Sequence, residues 1–226
     1  MTEPEDSQDI LRVNRSKEEA KKFYDRISTV YDLLGGIFER RHAGKALSYL
    51  NVQSGETVLE IGFGTGYCLQ QIALSVGKSG KVYGIDISEG MLKAARKKLE
   101  KAGLIDRVKL YHGDATQLPF GDETFDTVFT SFTLELFDTP EIPQVLKEVG
   151  RVLKAGGRLG VVSLSKTNVN SLALRIYEWV HRKWPRYVDC RPIYLEKSLR
   201  EAGYTIQRKE IDKLFVLPLE IVVATK

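Results

Sequence analysis

The sequence predicts an α/β domain built on a mostly parallel sheet with helices on both faces, a Rossmann-like layout. Three observations carry this expectation. Between residues 57 and 164, short apolar runs alternate with helical patterns about every 25 residues, the rhythm of βαβ units. A glycine-rich turn, Gly62-Phe63-Gly64-Thr65-Gly66, separates the first of these runs from the helix after it. And 226 residues, 42% apolar and 28% charged, can bury one sizeable core without disulfides or metal.

The elements follow in order. Residues 1–15 are polar and acidic and are expected to be a disordered tail, which leaves 16–226 as a single domain. Ser16 with Glu19 has capping-box spacing, and Phe23, Ile27, Val30, Tyr31 and Leu34 then recur at helical intervals until Gly35-Gly36. A second helix is expected over 38–50. Strands are predicted at 57–61, 81–85, 108–112, 127–131 and 159–164, with helices through residue 76 and over 89–102 and 141–153. The rhythm fails between 165 and 192, where Leu172, Ile176, Tyr177, Trp179, Val180 and Trp184 stand among Lys166, Arg175, Arg182, Lys183, Arg186 and Arg191. A helix at 194–202 and two terminal strands, the last at 219–224, bring the sheet to seven.

Composition excludes several classes. The net charge of +4 is too small for a dedicated nucleic-acid binder. Two cysteines, Cys68 and Cys190, give no disulfide framework and suit a reducing compartment. The start is acidic, so no targeting segment is expected there, and no apolar run approaches the ~18 residues of a membrane span. A cytoplasmic protein is expected. Three histidines and two cysteines show no metal-ligand spacing, so no metal site is expected.

The loop carries the strongest functional signal. Glycines let the backbone turn sharply and approach a ligand, and the following helix offers free N–H groups. A dinucleotide fingerprint would need glycine at 67, where Tyr67 stands, and no lysine follows at Walker A spacing. Glu60 before the loop would repel a pyrophosphate and could place a cationic amino group. Asp86 ends the second strand, 20 residues after Gly66. A carboxylate there can accept from two ribose hydroxyls. The alternative is a cap on the next helix, for which Ser88 is better placed.

From Tyr24 to Gly157 the chain resembles class I S-adenosylmethionine-dependent methyltransferases, in the branch of the ubiquinone/menaquinone biosynthesis C-methyltransferases. The residues that carry this are Val58–Gly66, Tyr83-Gly84-Ile85-Asp86-Ile87-Ser88, Gly90-Met91-Leu92, Gly113-Asp114-Ala115, Leu118-Pro119-Phe120, Phe125-Asp126 and Arg151-Val152-Leu153-Lys154-Ala155-Gly156-Gly157. The resemblance implies S-adenosyl-L-methionine as cofactor. Gly62, Gly64, Thr65 and Gly66 would line its methionine part, with Glu60 near the amino group and Ser131 beside it. Asp86 would hold the ribose, Ile87 and Met91 would pack on the adenine, and Asp114 and the Ala115 N–H would meet its edge. It also implies an N-terminal helical lid, 16–50, in which Tyr24 and Tyr31 shelter the sulfonium or simply pack in the core.

Weaker candidates complete the reading. Glu135 could face the transferred methyl as a base, or cap a helix. Cys68 could be acidified by the helix start, though packing suits it better. His112 could touch the adenine, while His42 and His181 read as packing residues. The 165–192 insert is expected to cover the substrate, with Trp179, Arg182 and Trp184 contacting the acceptor; plain packing and contact with anionic lipid are the alternatives. Ser131-Phe132-Thr133-Leu134 replaces the Asn/Asp-Pro-Pro-Tyr/Phe motif of amino-methylating enzymes, and neither cysteine follows a proline, which argues against nucleic acid. A small, hydrophobic or lipid-like methyl acceptor remains. A quinone-pathway C-methyltransferase and a non-catalytic S-adenosylmethionine-binding protein are the alternatives; the oligomeric state is left open.

Overall fold

The computed structural model describes residues 10, 12–13, 15–28, 31, 37–167, 172–183 and 190–226. Two N-terminal helices, α1 (Lys17–Ile27) and α2 (Ile37–Leu50), precede the sheet. Then follow β1 (Thr57–Ile61), α3 (Tyr67–Ser75), β2 (Lys81–Asp86), α4 (Glu89–Lys101), β3 (Val108–His112), β4 (Phe125–Ser131), α5 (Glu141–Val152) and β5 (Leu153–Leu164). The chain closes with α6 (Leu172–Lys183), α7 (Leu195–Glu201), β6 (Thr205–Leu214) and β7 (Leu217–Thr225).

The seven strands lie in the order β3-β2-β1-β4-β5-β7-β6, and β7 alone runs against its neighbours. Chain order therefore reverses between β1 and β4. In open parallel sheets, ligands bind outside the carboxyl ends of the strands at such a switch point.

Strand alternation divides the core between the two faces. Val58 packs with Ala46, Leu50, Leu69 and Phe129 under α2 and α3, whereas Leu59 packs with Phe125, Val145 and Val149 under α5. Caps agree with the sequence: Ser16 and Glu19 form the capping box of α1, and the Ser88 hydroxyl accepts the Met91 N–H at the start of α4.

α1 is described to Ile27, and the expected continuation through Val30 and Leu34 lies outside the described residues. Two boundaries differ from expectation. β5 begins at Leu153, because Leu153 pairs with Phe125 and the strand then bulges through Gly156, in left-handed backbone, before Arg158 meets Thr127. β6 and β7 form a long hairpin, since their mutual ladder runs from Thr205 opposite Thr225 to Leu214 opposite Leu217.

Candidate functional site

One cavity opens at the carboxyl ends of β1, β2 and β4, bounded by Gly62, Gly64, Asp86, Asp114, Ser131 and Thr133. Helix α1 closes it on one side through Tyr24, with Val13 and Arg15 before it. A smaller inner compartment runs under the glycine loop, past Glu60, Thr65 and Tyr67. Gly64 and Ser131 border both spaces, as does Tyr31.

The loop's glycines are there for two different reasons. Gly62 has φ +69°, and a Cβ on it would collide with the Thr133 side chain. Gly64 has φ +51°, and a Cβ on it would meet no protein atom and would project into open space. The first glycine brings the loop against the end of β4. The second leaves room at the cavity wall.

Two carboxylates set the electrostatics. Asp86 accepts the Gly64 N–H at 2.9 Å on one oxygen and the Ser88 N–H at 2.9 Å on the other. Burial pushes its pKa up to about 6 even though both bonds favour the ion. Each oxygen retains acceptor capacity toward the cavity. Glu60 is 3% exposed, and its Oε2 has no hydrogen-bond partner among the described residues. Burial, with the nearby charge of Asp86 added, pushes this carboxyl well above its ordinary range. An orphaned carboxyl costs free energy unless a ligand pairs it. Ser131 Oγ is likewise buried without a partner there. The arrangement fits a ligand with a cation at one end and vicinal hydroxyls in its middle.

Other expected residues fall around these. Ile87, Met91 and Ala115 line the cavity beside Asp86. Asp114 lines it too, but its carboxylate accepts from the Thr116 N–H and pairs with Lys17 of α1 at 2.6 Å. Tyr24 and Tyr31 both face the cavity, their ring centres 6.4 Å apart. Thr65 borders the inner compartment, where its hydroxyl accepts from Lys98.

Several expectations are corrected. Gly66 lines neither space: it sits at the N-cap of α3, where a Cβ would press on Ala95 at 2.9 Å. Glu135 is not in the cavity wall. It is fully buried, accepts the Leu164 N–H at 3.1 Å, and burial lifts its pKa to about 8, so it stays protonated at neutral pH. His112 hydrogen-bonds the Ile87 carbonyl at 2.8 Å and does not line the cavity. Cys68, expected to pack, is buried, and burial raises its thiol well above its usual range. Trp179 and Arg182 border a shallow groove on the outer side of α6, with Leu172 and Ile176, apart from the cavity. The substrate-cover expectation for these two is thus withdrawn, and Trp184 lies outside the described residues.

The sequence reading missed Lys17, Asp25 and Asp138. Asp25 of α1 accepts from the Ser88 hydroxyl at 2.6 Å and the Gly90 N–H at 2.8 Å. Gly90 is the one visible trace of this, since a Cβ there would sit 2.8 Å from the Asp25 Cα. Asp138 accepts Arg12 and the Val13 N–H. Each pairing joins positions far apart in the chain, so no local pattern announces it.

Comparison with known proteins adds the lineage. A model described as the ubiE/COQ5 methyltransferase family matches residues 12–189. A demethylmenaquinone methyltransferase of Listeria welshimeri is 36% identical over 157 residues, 68% of this chain and 65% of that protein. One from Geobacillus stearothermophilus is 41% identical over 150 residues, 64% of this chain and 63% of its own. The matched region thus spans just under two thirds of these relatives. Among solved structures, the 4+2 cyclase SpnF aligns with TM-score 0.78 at 20% identity, over 96% of this chain and 98% of its own. An S-adenosylmethionine-dependent methyltransferase from Aquifex aeolicus aligns at 0.62 and 24% identity, over 94% and 99%. These two likenesses show the fold alone, and one partner is named for a cyclisation, so the fold does not choose the reaction. The family match does more, because Glu60, the glycine loop, Asp86, Asp114 and the end of β4 all fall inside residues 12–189: the chain belongs to the ubiE/COQ5 methyltransferase family.

Proposed function

We propose that this protein transfers the methyl group of S-adenosylmethionine to a small apolar acceptor of the quinone class. The carrying observation is the orphaned Glu60 carboxyl, which shares a cavity system with Asp86, a carboxylate that still has acceptor capacity. The names of the relatives, demethylmenaquinone methyltransferases, support the acceptor class.

The cofactor supplies an electrophilic methyl carbon and a neutral thioether leaving group. The protein's work is then placement. Glu60 pairs the α-ammonium, and Asp86 accepts from the ribose hydroxyls. Ile87 and Met91 cover the adenine, while Asp114 and the Ala115 N–H meet its edge. Tyr24 and Tyr31 present ring faces to the cation and, with α1 as a lid, exclude water. Phe132, Leu136 and Phe137 form an apolar wall beside Ser131 that suits a flat, greasy acceptor. Held there by Glu60, Asp86 and Asp114, the cofactor would supply its methyl group to the acceptor's nucleophilic atom and leave as a neutral thioether with the bonding electron pair, while the acceptor would release its proton to solvent. Holding the reacting atoms in line contributes about 7–11 kcal/mol without a dedicated base. A content of two cysteines, too low for a disulfide framework, supports a cytoplasmic setting.

The test is calorimetry followed by turnover. The protein should bind S-adenosylmethionine and S-adenosylhomocysteine but not NAD, and release S-adenosylhomocysteine when given a demethylated hydroquinone. Binding without turnover on any quinol would favour a non-catalytic cofactor-binding protein. No binding of either ligand would end both readings.

A further inference from the structure

We propose that Arg191 is a positioning residue for the methyl acceptor: it fixes the cavity wall at Phe137 and thereby sets how an acceptor ring lies against the cofactor. The role rests on the methyl-transfer reading and adds to it a side chain that stands behind the wall, outside the cavity lining. Arg191 is fully buried and among the largest side chains that are. Its Nη2 donates to the Phe137 carbonyl, and its Nη1 donates to the Thr139 hydroxyl at 3.2 Å. Phe137 leaves the short helical turn Leu134–Leu136 in extended backbone, with φ −74° and ψ 141°. Leu136, Phe137 and Asp138 all line the cavity. The bond to the Phe137 carbonyl therefore holds a peptide plane whose two Cα atoms belong to residues of the wall.

The arm starts from a fixed base on the side away from the proposed cofactor loops. Ile193 donates its N–H to the Leu164 carbonyl at 3.1 Å and accepts the Lys166 N–H at 3.0 Å, at the carboxyl end of β5. The Cys190 carbonyl accepts the Tyr177 hydroxyl of α6 at 2.9 Å. In the sheet, β4 and then β5 lie to one side of β1, while the glycine loop and Asp86 stand at the ends of β1 and β2. Arg191 thus reaches the loop after β4 from the β5 side. Its grip should bear on what lies against Phe132, Leu136 and Phe137, and leave Glu60 and Asp86 as they are.

Stability does not account for this side chain. Burial pulls its pKa down to about 10, so it is still a cation at neutral pH. Its Nε has no hydrogen-bond partner among the described residues. The acids whose fields reach it are engaged elsewhere: Asp138 holds Arg12, Glu141 holds Lys17, and Glu135 is protonated. A buried cation in such a setting is costly, and an apolar side chain of like volume often serves the fold as well. What arginine adds is a planar fork that holds two points of one loop at once. The same loop takes Arg12 and the Val13 N–H on the Asp138 carboxylate, so the N-terminal segment and the β5 side meet at the acceptor wall.

The test uses the full chain with S-adenosylmethionine and a demethylated hydroquinone. Arg191→Met should lower acceptor kcat/KM about tenfold or more, because a small misplacement at the reacting centre is costly, while calorimetric cofactor affinity stays within about twofold. Arg191→Lys keeps the charge without the fork and should recover part of the loss. Thr139→Val, which removes one end of the fork's grip, should cost about threefold. Phe137→Leu should reproduce the acceptor loss, and the double variant with Arg191→Met should be no worse than the poorer single one, since both act on one element. A residue that merely braced the fold would instead lower cofactor affinity in step, and its loss would multiply with that of Phe137→Leu; either result overturns the proposal. So does acceptor kcat/KM within twofold of wild type in Arg191→Met, or in Arg191→Lys and Thr139→Val should the methionine variant not fold. Amide exchange reads the same role without turnover: residues 136–139 should exchange about tenfold faster in Arg191→Met and Arg191→Lys, with α3 and α4 unchanged. A wild type that fails to methylate any quinol would end the functional reading, and equal exchange at 136–139 would end this one.

Discussion

Replacing Glu135 by glutamine separates a buried structural acid from a catalytic base. Its carboxyl is fully buried, its pKa is raised from 4.5 to about 8, and one oxygen accepts the Leu164 N–H. In the unfolded chain the same group ionises near its ordinary pKa, so between these values the folded state holds more protons than the unfolded one. Stability must then fall as pH rises through this window, opposite to the usual carboxylate in an ion pair. At 1.36 kcal/mol per unit, this one group removes roughly 2–3 kcal/mol between about pH 5 and pH 7. Glutamine keeps the acceptor for Leu164 and never ionises. The variant should therefore lose less stability than wild type over that interval, by about this amount, in parallel urea titrations. Its turnover at neutral pH should stay within about threefold of wild type, because removal of a true general base costs ~10²–10⁴-fold. A turnover loss of that size with cofactor affinity intact would restore Glu135 as a catalytic residue. Identical pH slopes for the two proteins would refute the buried neutral acid.

Asp86 gives a second pH signature. Hydroxyls donate best to the ionised carboxylate, so the Asp86 contribution to cofactor affinity, read as the difference between wild type and Asp86→Asn, should be level above about pH 6 and fall up to tenfold per unit below it. Asp86→Ala should lose one or two charge-assisted bonds of ~1.5–3 kcal/mol each, read by calorimetry, and an unchanged affinity would remove the ribose assignment. Asp25→Ala deletes the acceptor for Ser88 Oγ and Gly90 N–H, and should lower the opening free energy of α1 by roughly 1–3 kcal/mol in amide exchange. Protection over residues 17–27 equal to wild type would show that α1 is held by packing alone.

What the sequence made legible is what local chemistry decides. Alternation at β1 and the helical pattern after Gly66 record backbone geometry within a few residues, and so do the Ser16 and Ser88 caps. That Gly62 and Asp86 stand together at the strand ends was readable because each follows directly on a strand of the βα alternation. Glu135 was misread because its position after β4 suggests the site, whereas its direction depends on where β5 runs; only the Leu164 N–H reveals that it turns inward. Trp179 was misread in the opposite sense. An apolar helix face looks the same in sequence whether it covers a ligand or faces out, and Leu174 and His181 took the inner side.

The N-terminal segment is fastened by side chains that belong to the proposed cofactor loops, and this links lid and ligand. Asp114 lies in the turn after β3 and holds Lys17, while Ser88, the N-cap of α4, and Gly90 in its first turn hold Asp25. A third clamp, Asp138 on Arg12, completes the row. Partial burial alone would raise the Asp138 pKa, but the bonds from Arg12 and Val13 hold it near 2. Such a depressed carboxylate contributes its stability above the unfolded pKa and loses it only as pH falls toward 2, so these clamps do not respond to pH near neutrality. They are also weak. Arg12 and Lys17 are well exposed, and exposed ion pairs are worth about 0–1 kcal/mol each and are screened by salt. A lid held this way opens at small cost, which a buried cavity needs if its cofactor is to be exchanged at every turnover. Adenine at Asp114 would compete with Lys17 for one carboxylate, while the sulfonium would gain the faces of Tyr24 and Tyr31. On the proposed reading, cofactor entry would trade one weak latch for aromatic contacts from Tyr24 on α1 and from Tyr31 beyond it, and closure would be a consequence of binding.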